Sequence, residues 1–242
     1  MPTSVDVSQS TYPQSDGQPM ADNTKQFRWI VTIQGGLEAM FSGNPQVFVA
    51  GDLLWYPVEG HREIRVAPDV LVAFGRPKGD RGSYLQWEEE DIVPQVVFEI
   101  LSPGNTVTEM MRKFRFYERY GVEEYYVYDP DTGELSGWQR RGVAFEDIDP
   151  MAGWVSPRLG VRFEVEQGVL QLYRPDGTRF TTYVELMEQR EQEHQRAEQE
   201  HQRAEQERQR AEQEHQRAEQ EHQRAERLAA RLRALGIDIE GE

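Results

Sequence analysis

The chain has no cysteine, which rules out disulfides and thiolate metal sites and is compatible with a reducing cytoplasm. It has no apolar run approaching the ~20 residues that a membrane-spanning helix needs. Basic residues are few: 27 Lys and Arg face 43 Asp and Glu, for a net charge of −16, which argues against a strongly basic nucleic-acid-binding surface. That balance leaves room for a nuclease whose acidic metal site is reached through a local basic groove. The first 23 residues, rich in Ser, Gln, Pro and Asp, lack the charged start and apolar centre of a signal peptide. The expectation is a soluble, cytoplasmic protein with no membrane partner.

Composition divides the chain into three parts. Residues 1–26 read as a disordered lead-in. Residues 27–187 hold all the tryptophans and nearly all the other aromatics. Residues 188–242 are dominated by Glu, Gln, Arg, His and Ala.

Within the middle part, β-branched apolar runs occur at Gln46–Ala50, Arg65–Phe74, Gln95–Leu101 and Tyr125–Tyr128, each bounded by Gly, Pro, Asn or Asp. Thr106 and Glu109 have the spacing of a capping box, and Val107, Met110, Phe114 and Tyr117 follow at helical intervals as one buried face. Gly121 suits the left-handed position that ends a helix. Hairpins are predicted for Leu135–Arg140 pairing back on Tyr125–Tyr128, and for Arg162–Val165 with Val169–Arg174. A strand–helix–strand core followed by hairpins indicates an α/β fold of the α+β type with a mixed sheet.

The last part repeats Ala-Glu-Gln-Glu-His-Gln-Arg almost perfectly from Ala197 to Arg224, mostly good helix formers at a period of seven. Ala197, Ala204, Ala211, Ala218 and Ala225 make the sole apolar seam until Leu228, Leu232 and Leu235. A stable zipper wants apolar residues at both a and d, so a long charged helix with at most weak coiled-coil character is expected. Self-association or a protein partner would act through residues 188–235. His194, His201, His215 and His222 stand at least seven residues apart, about 10.5 Å of helix, too far for two to share an ion.

Asp69, Glu99 and Lys113 are the candidate chemistry. Charge inside an apolar run is costly unless something pairs with it. Phosphodiester hydrolysis uses a divalent cation to polarise the phosphate and generate hydroxide, and Mg²⁺ takes one or two carboxylates with waters and substrate oxygens. Asp69 and Glu99 could be those carboxylates, the main-chain carbonyl of Ile100 a third ligand, and Lys113 a cation for the attacking water or the developing charge. From spacing alone the plainer account is stronger: Asp69 caps a turn after Pro68, Glu99 is a strand-end charge, and Lys113 pairs with Glu109. The run around Glu99, apolar on both faces, shifts the balance toward a central buried strand.

Pro68-Asp69-Val70, then Val97-Phe98-Glu99-Ile100-Leu101-Ser102-Pro103, then Lys113 with Phe116-Tyr117 and Tyr120-Gly121-Val122-Glu123-Glu124-Tyr125, resemble the Uma2 family. This family of endonucleases, frequent in cyanobacteria, falls in the PD-(D/E)xK restriction-endonuclease-like superfamily. The resemblance covers roughly Val47 to Leu186. It implies a restriction-endonuclease-like core, DNA as substrate, Mg²⁺ or Mn²⁺ as cofactor, and Asp69 and Glu99 as metal ligands. The superfamily's usual lysine, two positions after the acid, is replaced by Leu101; Lys113 matches the helix lysine that stands in for it. An upstream acid is also expected, with Asp52 preferred over Glu38.

Other residues have two readings each. Ser102-Pro103-Gly104-Asn105 could approach a phosphate or simply turn the chain. Tyr117 and Tyr120 could touch substrate or fill the core. Arg76, Lys78 and Arg81 among Gly75, Gly79 and Gly82 could track a DNA backbone or be solvated. Three functions compete: a metal-dependent DNA endonuclease, a catalytically silent nuclease fold acting through its helix, and an RNA-processing or structure-specific nuclease.

Overall fold

The computed structural model describes residues 12–15, 17 and 19–234. The chain divides into two compact units between Tyr183 and Val184. In the first, α1 (Thr24–Met40) is followed by β1 (Val47–Gly51), β2 (Trp55–Tyr56), β3 (Val70–Phe74), β4 (Tyr84–Leu85) and β5 (Val96–Ile100). Then come α2 (Val107–Tyr120), β6 (Glu124–Tyr128), β7 (Leu135–Arg141), β8 (Ala144–Asp147), β9 (Arg162–Glu166) and β10 (Val169–Tyr173).

Six strands form a mixed sheet in the order β1-β3-β5-β6-β7-β8. Only β5 and β6 run parallel, because α2 carries the chain back across the sheet between them. The other neighbours are antiparallel. A hairpin of β9 and β10 and a small parallel pair of β2 and β4 complete the unit.

Successive side chains on a strand point to opposite faces, so each central strand feeds two cores. Val70 and Val72 of β3, with Val96 and Phe98 of β5, join Ile30, Ile33 and Leu37 of α1 and Phe163 and Leu172 of the β9–β10 hairpin. Leu71, Ala73 and Val97 turn the other way, to Tyr117 of α2 and Trp55. Every residue of β5 is buried.

The sequence reading has no helix at α1. Ile30, Ile33 and Leu37 carry the helical spacing, but Gly35 and Gly36 interrupt it. Gly36 answers a packing demand: a Cβ there would lie 2.2 Å from the Phe180 ring. Asn23 caps the helix by accepting from the N–H groups of Lys25 and Gln26, both at 2.9 Å. The expected boundary at residue 26 therefore falls inside a helix. The described part of the expected disordered lead-in packs as well, Tyr12 edge-on against Tyr56 with centroids 5.1 Å apart; residues 1–11, 16 and 18 of that lead-in lie outside the described residues.

α2 is capped by Thr106, which accepts from the Glu109 N–H at 3.2 Å, and ends at Gly121 with φ of 95°. Of the expected buried face only Tyr117 is fully buried: Met110 and Phe114 are half-buried, and Val107 is 81% exposed.

The second unit is the greater part of α3 (Tyr183–Ala234), whose described side chains are almost all exposed, the alanine seam included. The helix starts before the expected 187/188 boundary. Leu235 lies outside the described residues. No helix among the described residues is long and apolar enough to cross a membrane.

Candidate active site

The register that pairs Val70 with Phe98 and Leu71 with Val97, continued by one step, sets Asp69 opposite Glu99. Both have the parity of Leu71 and Val97, so both side chains lie on the α2 side of the sheet. Asp69 stands one residue before β3 rather than inside it. Like charges opposite each other across a strand pair repel, and here both are buried, Asp69 at 8% and Glu99 at 2% exposure.

Each acid is partly compensated. Glu99 Oε2 accepts from Lys113 Nζ at 2.7 Å, and Glu99 Oε1 from the Tyr117 hydroxyl at 2.5 Å. Lys113 and Tyr117 are four apart on α2, so one helical stripe grips both oxygens. Asp69 Oδ2 accepts from the Ile100 N–H at 2.6 Å. Lys113 thus pairs with Glu99 rather than with Glu109, as the plainer account had it.

Burial, then repulsion from Glu99, raise the Asp69 carboxyl from its ordinary 3.8 to about 8, against the pull of Lys113 and the Ile100 N–H. Burial works against the Lys113 ammonium, but Glu99 and Asp69 together hold its pKa above the ordinary value. Two acids and one fixed cation leave the floor of the site short of positive charge.

Asp69 and Glu99 lie with Asp52 along a cleft of about 760 Å³. Asp52 holds φ of 48°, donates its N–H to the Asp69 carbonyl at 3.2 Å, and adds to the repulsion on Asp69. Glu38, the other upstream acid, pairs with Lys78 at 2.7 Å and does not line the cleft. The Ile100 carbonyl accepts from Gln26 Nε2 at 2.8 Å. Sequence reading missed Gln26, together with Asp22, whose Oδ2 accepts from Ser102 Oγ at 2.5 Å. Their signal was the Asn23 cap, which places both at the start of a helix.

The donor set suits a hard cation by type and by lone-pair count. Among the described residues no three His, Cys, Asp or Glu side chains form a metal-holding group, but Mg²⁺ takes one or two carboxylates and fills its shell with water. Each Glu99 oxygen and the Ile100 carbonyl retains a lone pair beyond its present bond. Asp69 Oδ1 accepts no hydrogen bond among the described residues.

Two other candidate segments differ in their relation to the cleft. Arg76 and Arg81 both bind Glu89, at 2.8 and 2.6 Å, and Arg81 lies 3.9 Å over the Phe48 ring. The glycine-rich loop is therefore a neutralised clasp, with none of its residues in the cleft wall. Ser102–Asn105 is a closed turn, Asn105 Oδ1 accepting from the Ser102 N–H at 2.8 Å, and its Gly104 and Asn105 line the cleft.

A solved structure described as a putative nuclease belonging to DUF820 from Anabaena variabilis is similar at 18% identity and a TM-score of 0.44, over 59% of this chain and 77% of that one. No curated protein matches the chain. The model of the family Uma2, "putative restriction endonuclease", matches residues 18–166, a span that holds every residue named in the cleft. With more than half of its length inside that match, the chain belongs to the Uma2 family.

Proposed function

We propose that this member of a nuclease family is a metal-dependent endonuclease that hydrolyses DNA phosphodiester bonds, with Asp69 and Glu99 as carboxylate ligands of Mg²⁺ or Mn²⁺. The observation that carries this reading is the pair of buried acids opposite each other across β3 and β5, served by a single lysine. Asp69, Glu99 and the Ile100 carbonyl would hold the ion, with Asp52 next to them. When bound, the ion would polarise the phosphate and lower the pKa of a coordinated water.

The protein's own groups supply the rest. Tyr117 and Lys113 fix the Glu99 carboxylate in one orientation. Asp69 releases its proton as positive charge arrives. Lys113, held cationic, neutralises charge that builds on the phosphate oxygens as water attacks. In that state it cannot also be the general base.

Incubation of DNA with the protein and Mn²⁺ or Mg²⁺ tests the reading. Cleavage is expected from the parent chain and is expected to fall by at least about a hundredfold in Asp69→Ala and Glu99→Ala, the scale of losing a main electrostatic contribution. Undiminished cutting by both variants would remove these acids from the mechanism. RNA and single-stranded DNA alongside duplex separate the three nuclease substrates.

A second reading, a catalytically silent fold, draws on Leu101 at the usual lysine position and on the Gln26 bond to Ile100. It predicts no heat of Mg²⁺ binding by calorimetry.

A further inference from the structure

Exposed positive charge lines the walls of the cleft. Arg112, Arg115 and Arg119 line it from α2, and Arg65 lines it from the segment before β3. Arg112, Arg115 and Arg119 recur at i, i+3 and i+7, one stripe of a helix, and all three are exposed. An adjoining recess is bounded by Arg62, Glu63, Arg65 and Arg112.

What separates these arginines from most other cations of the unit is the lack of a carboxylate partner. Lys25, Arg76, Lys78, Arg81, Lys113, Arg158 and Arg162 are each in an ion pair. Among the described residues Arg62, Arg65, Arg112, Arg115 and Arg119 are in none. Of the acids nearby, exposed Glu63 bonds His61 at 2.9 Å, and half-buried Glu109 lies in the first turn of α2, at the end of the stripe. In a chain of net charge −16, unpaired guanidinium groups gathered on one cleft form a local field that a polyanion would enter.

Scale favours a polynucleotide over a single phosphate. Arg112 to Arg119 spans seven residues, about 10.5 Å of helix. A strand carries a phosphate at every nucleotide, so a stripe of this length reaches more than one of them. Phe116 and Tyr120 flank the arginines, half-buried in the same wall, with Arg119 5.5 Å over the Tyr120 ring. Aromatic rings beside a row of cations suit the bases of a strand whose phosphates the cations hold.

We propose that Arg112, Arg115 and Arg119 form a phosphate-tracking rail that seats one nucleic-acid strand along α2, with Arg65 in the same cleft and Arg62 in the adjoining recess. This rests on the nuclease reading for its purpose but not for its test.

The test is binding of a fluorescent 20-nucleotide DNA, single-stranded and as duplex, to the full chain in EDTA, where no cutting contributes. Anisotropy is recorded over a salt series. The triple variant Arg112→Ala/Arg115→Ala/Arg119→Ala is expected to bind at least about tenfold more weakly, with the slope of log K against log salt shallower by about two to three, the value for three lost phosphates. Arg28→Ala/Arg141→Ala, exposed but outside the cleft, should leave both unchanged. Because the rail residues are exposed, thermal unfolding of the triple variant should match the parent. Unaltered affinity and slope in the triple variant, or no binding of either probe by the parent, overturns the proposal. Rail-dependent binding without metal-dependent cutting would keep the rail and reject the nuclease reading.

Discussion

Lys113 Nζ stands 2.7 Å from Glu99 Oε2, although a strand end, a turn and a helix cap separate them in sequence. The contact exists because α2 starts at a fixed distance from β5. Thr106 sets the first turn, and Lys113 and Tyr117 then fall on the stripe that faces the sheet. Leu101, which follows Ile100 out of β5, leaves the ammonium to come from the helix.

That pairing makes Lys113 structural and functional at once. The Lys113→Met variant strands Glu99 in a site with 3% side-chain exposure. Breaking a buried pair from one side costs about 3–5 kcal/mol. Chemical denaturation should read that loss, and metal-dependent cleavage should fall by at least about tenfold even where the variant is folded. A variant with parental stability would mean that solvent replaces the ammonium.

Asp69 makes stability depend on pH in a direction unusual for an acid. Its folded value, about 8, lies above the ordinary 3.8, so the folded chain keeps a proton that the unfolded chain has released. The contribution is fully present below about pH 4 and is lost as pH rises to about 8, at about 1.4 kcal/mol per pH unit from this group. Asp69→Asn lacks the titration. In EDTA, the stability of the variant relative to the parent should rise across that window and level off above it. A constant difference would contradict a raised value. In the parent, Mg²⁺ affinity should increase over the same window, with proton release on binding.

Glu124 is the contrasting buried acid. On β6 it accepts from the Tyr126 hydroxyl at 3.0 Å, the Arg158 N–H at 2.9 Å and Ser156 Oγ, holding the segment before β9 to the sheet. Glu124→Gln exchanges one acceptor oxygen for an amide donor, at a cost of about 1–3 kcal/mol. Cleavage per folded molecule should not change, because Glu124 has the parity of Tyr126 and Phe98, away from α2. Loss of cleavage without loss of stability would assign it a part in the site.

The long helix should be separable. A chain ending at Met187 is expected to keep the unfolding midpoint of the full protein, since the described side chains removed are nearly all exposed. Its far-UV circular dichroism should lose much of its helical signal. A large drop in midpoint would show that α3 is held by contacts within an assembly.

Much of this protein was legible in local sequence. β5 showed as an apolar run, because a strand buried on both faces cannot alternate. α2 showed through Thr106 and Gly121, because helix ends need particular residues. α1 was hidden, because Gly35 and Gly36 interrupt its apolar spacing and the contact that explains Gly36, the Phe180 ring, lies far along the chain. The glycine-rich loop has two readings in sequence, a DNA contact or a solvated loop, and only the fold shows Glu89 from beyond β4 pairing with Arg76 and Arg81.

For the site, the sequence by itself determined the residue types: two acids near apolar runs, a lysine on the next helix, and hard oxygen donors in the absence of thiols. The tertiary structure decided their relation. Antiparallel register placed Asp69 opposite Glu99, and strand parity turned both toward Lys113 and away from α1. It also left Arg112, Arg115 and Arg119 exposed along the same cleft. Register and parity arise from hydrogen bonding between distant strands, so the meaning of a charge at one position is fixed by the strand that comes to lie beside it.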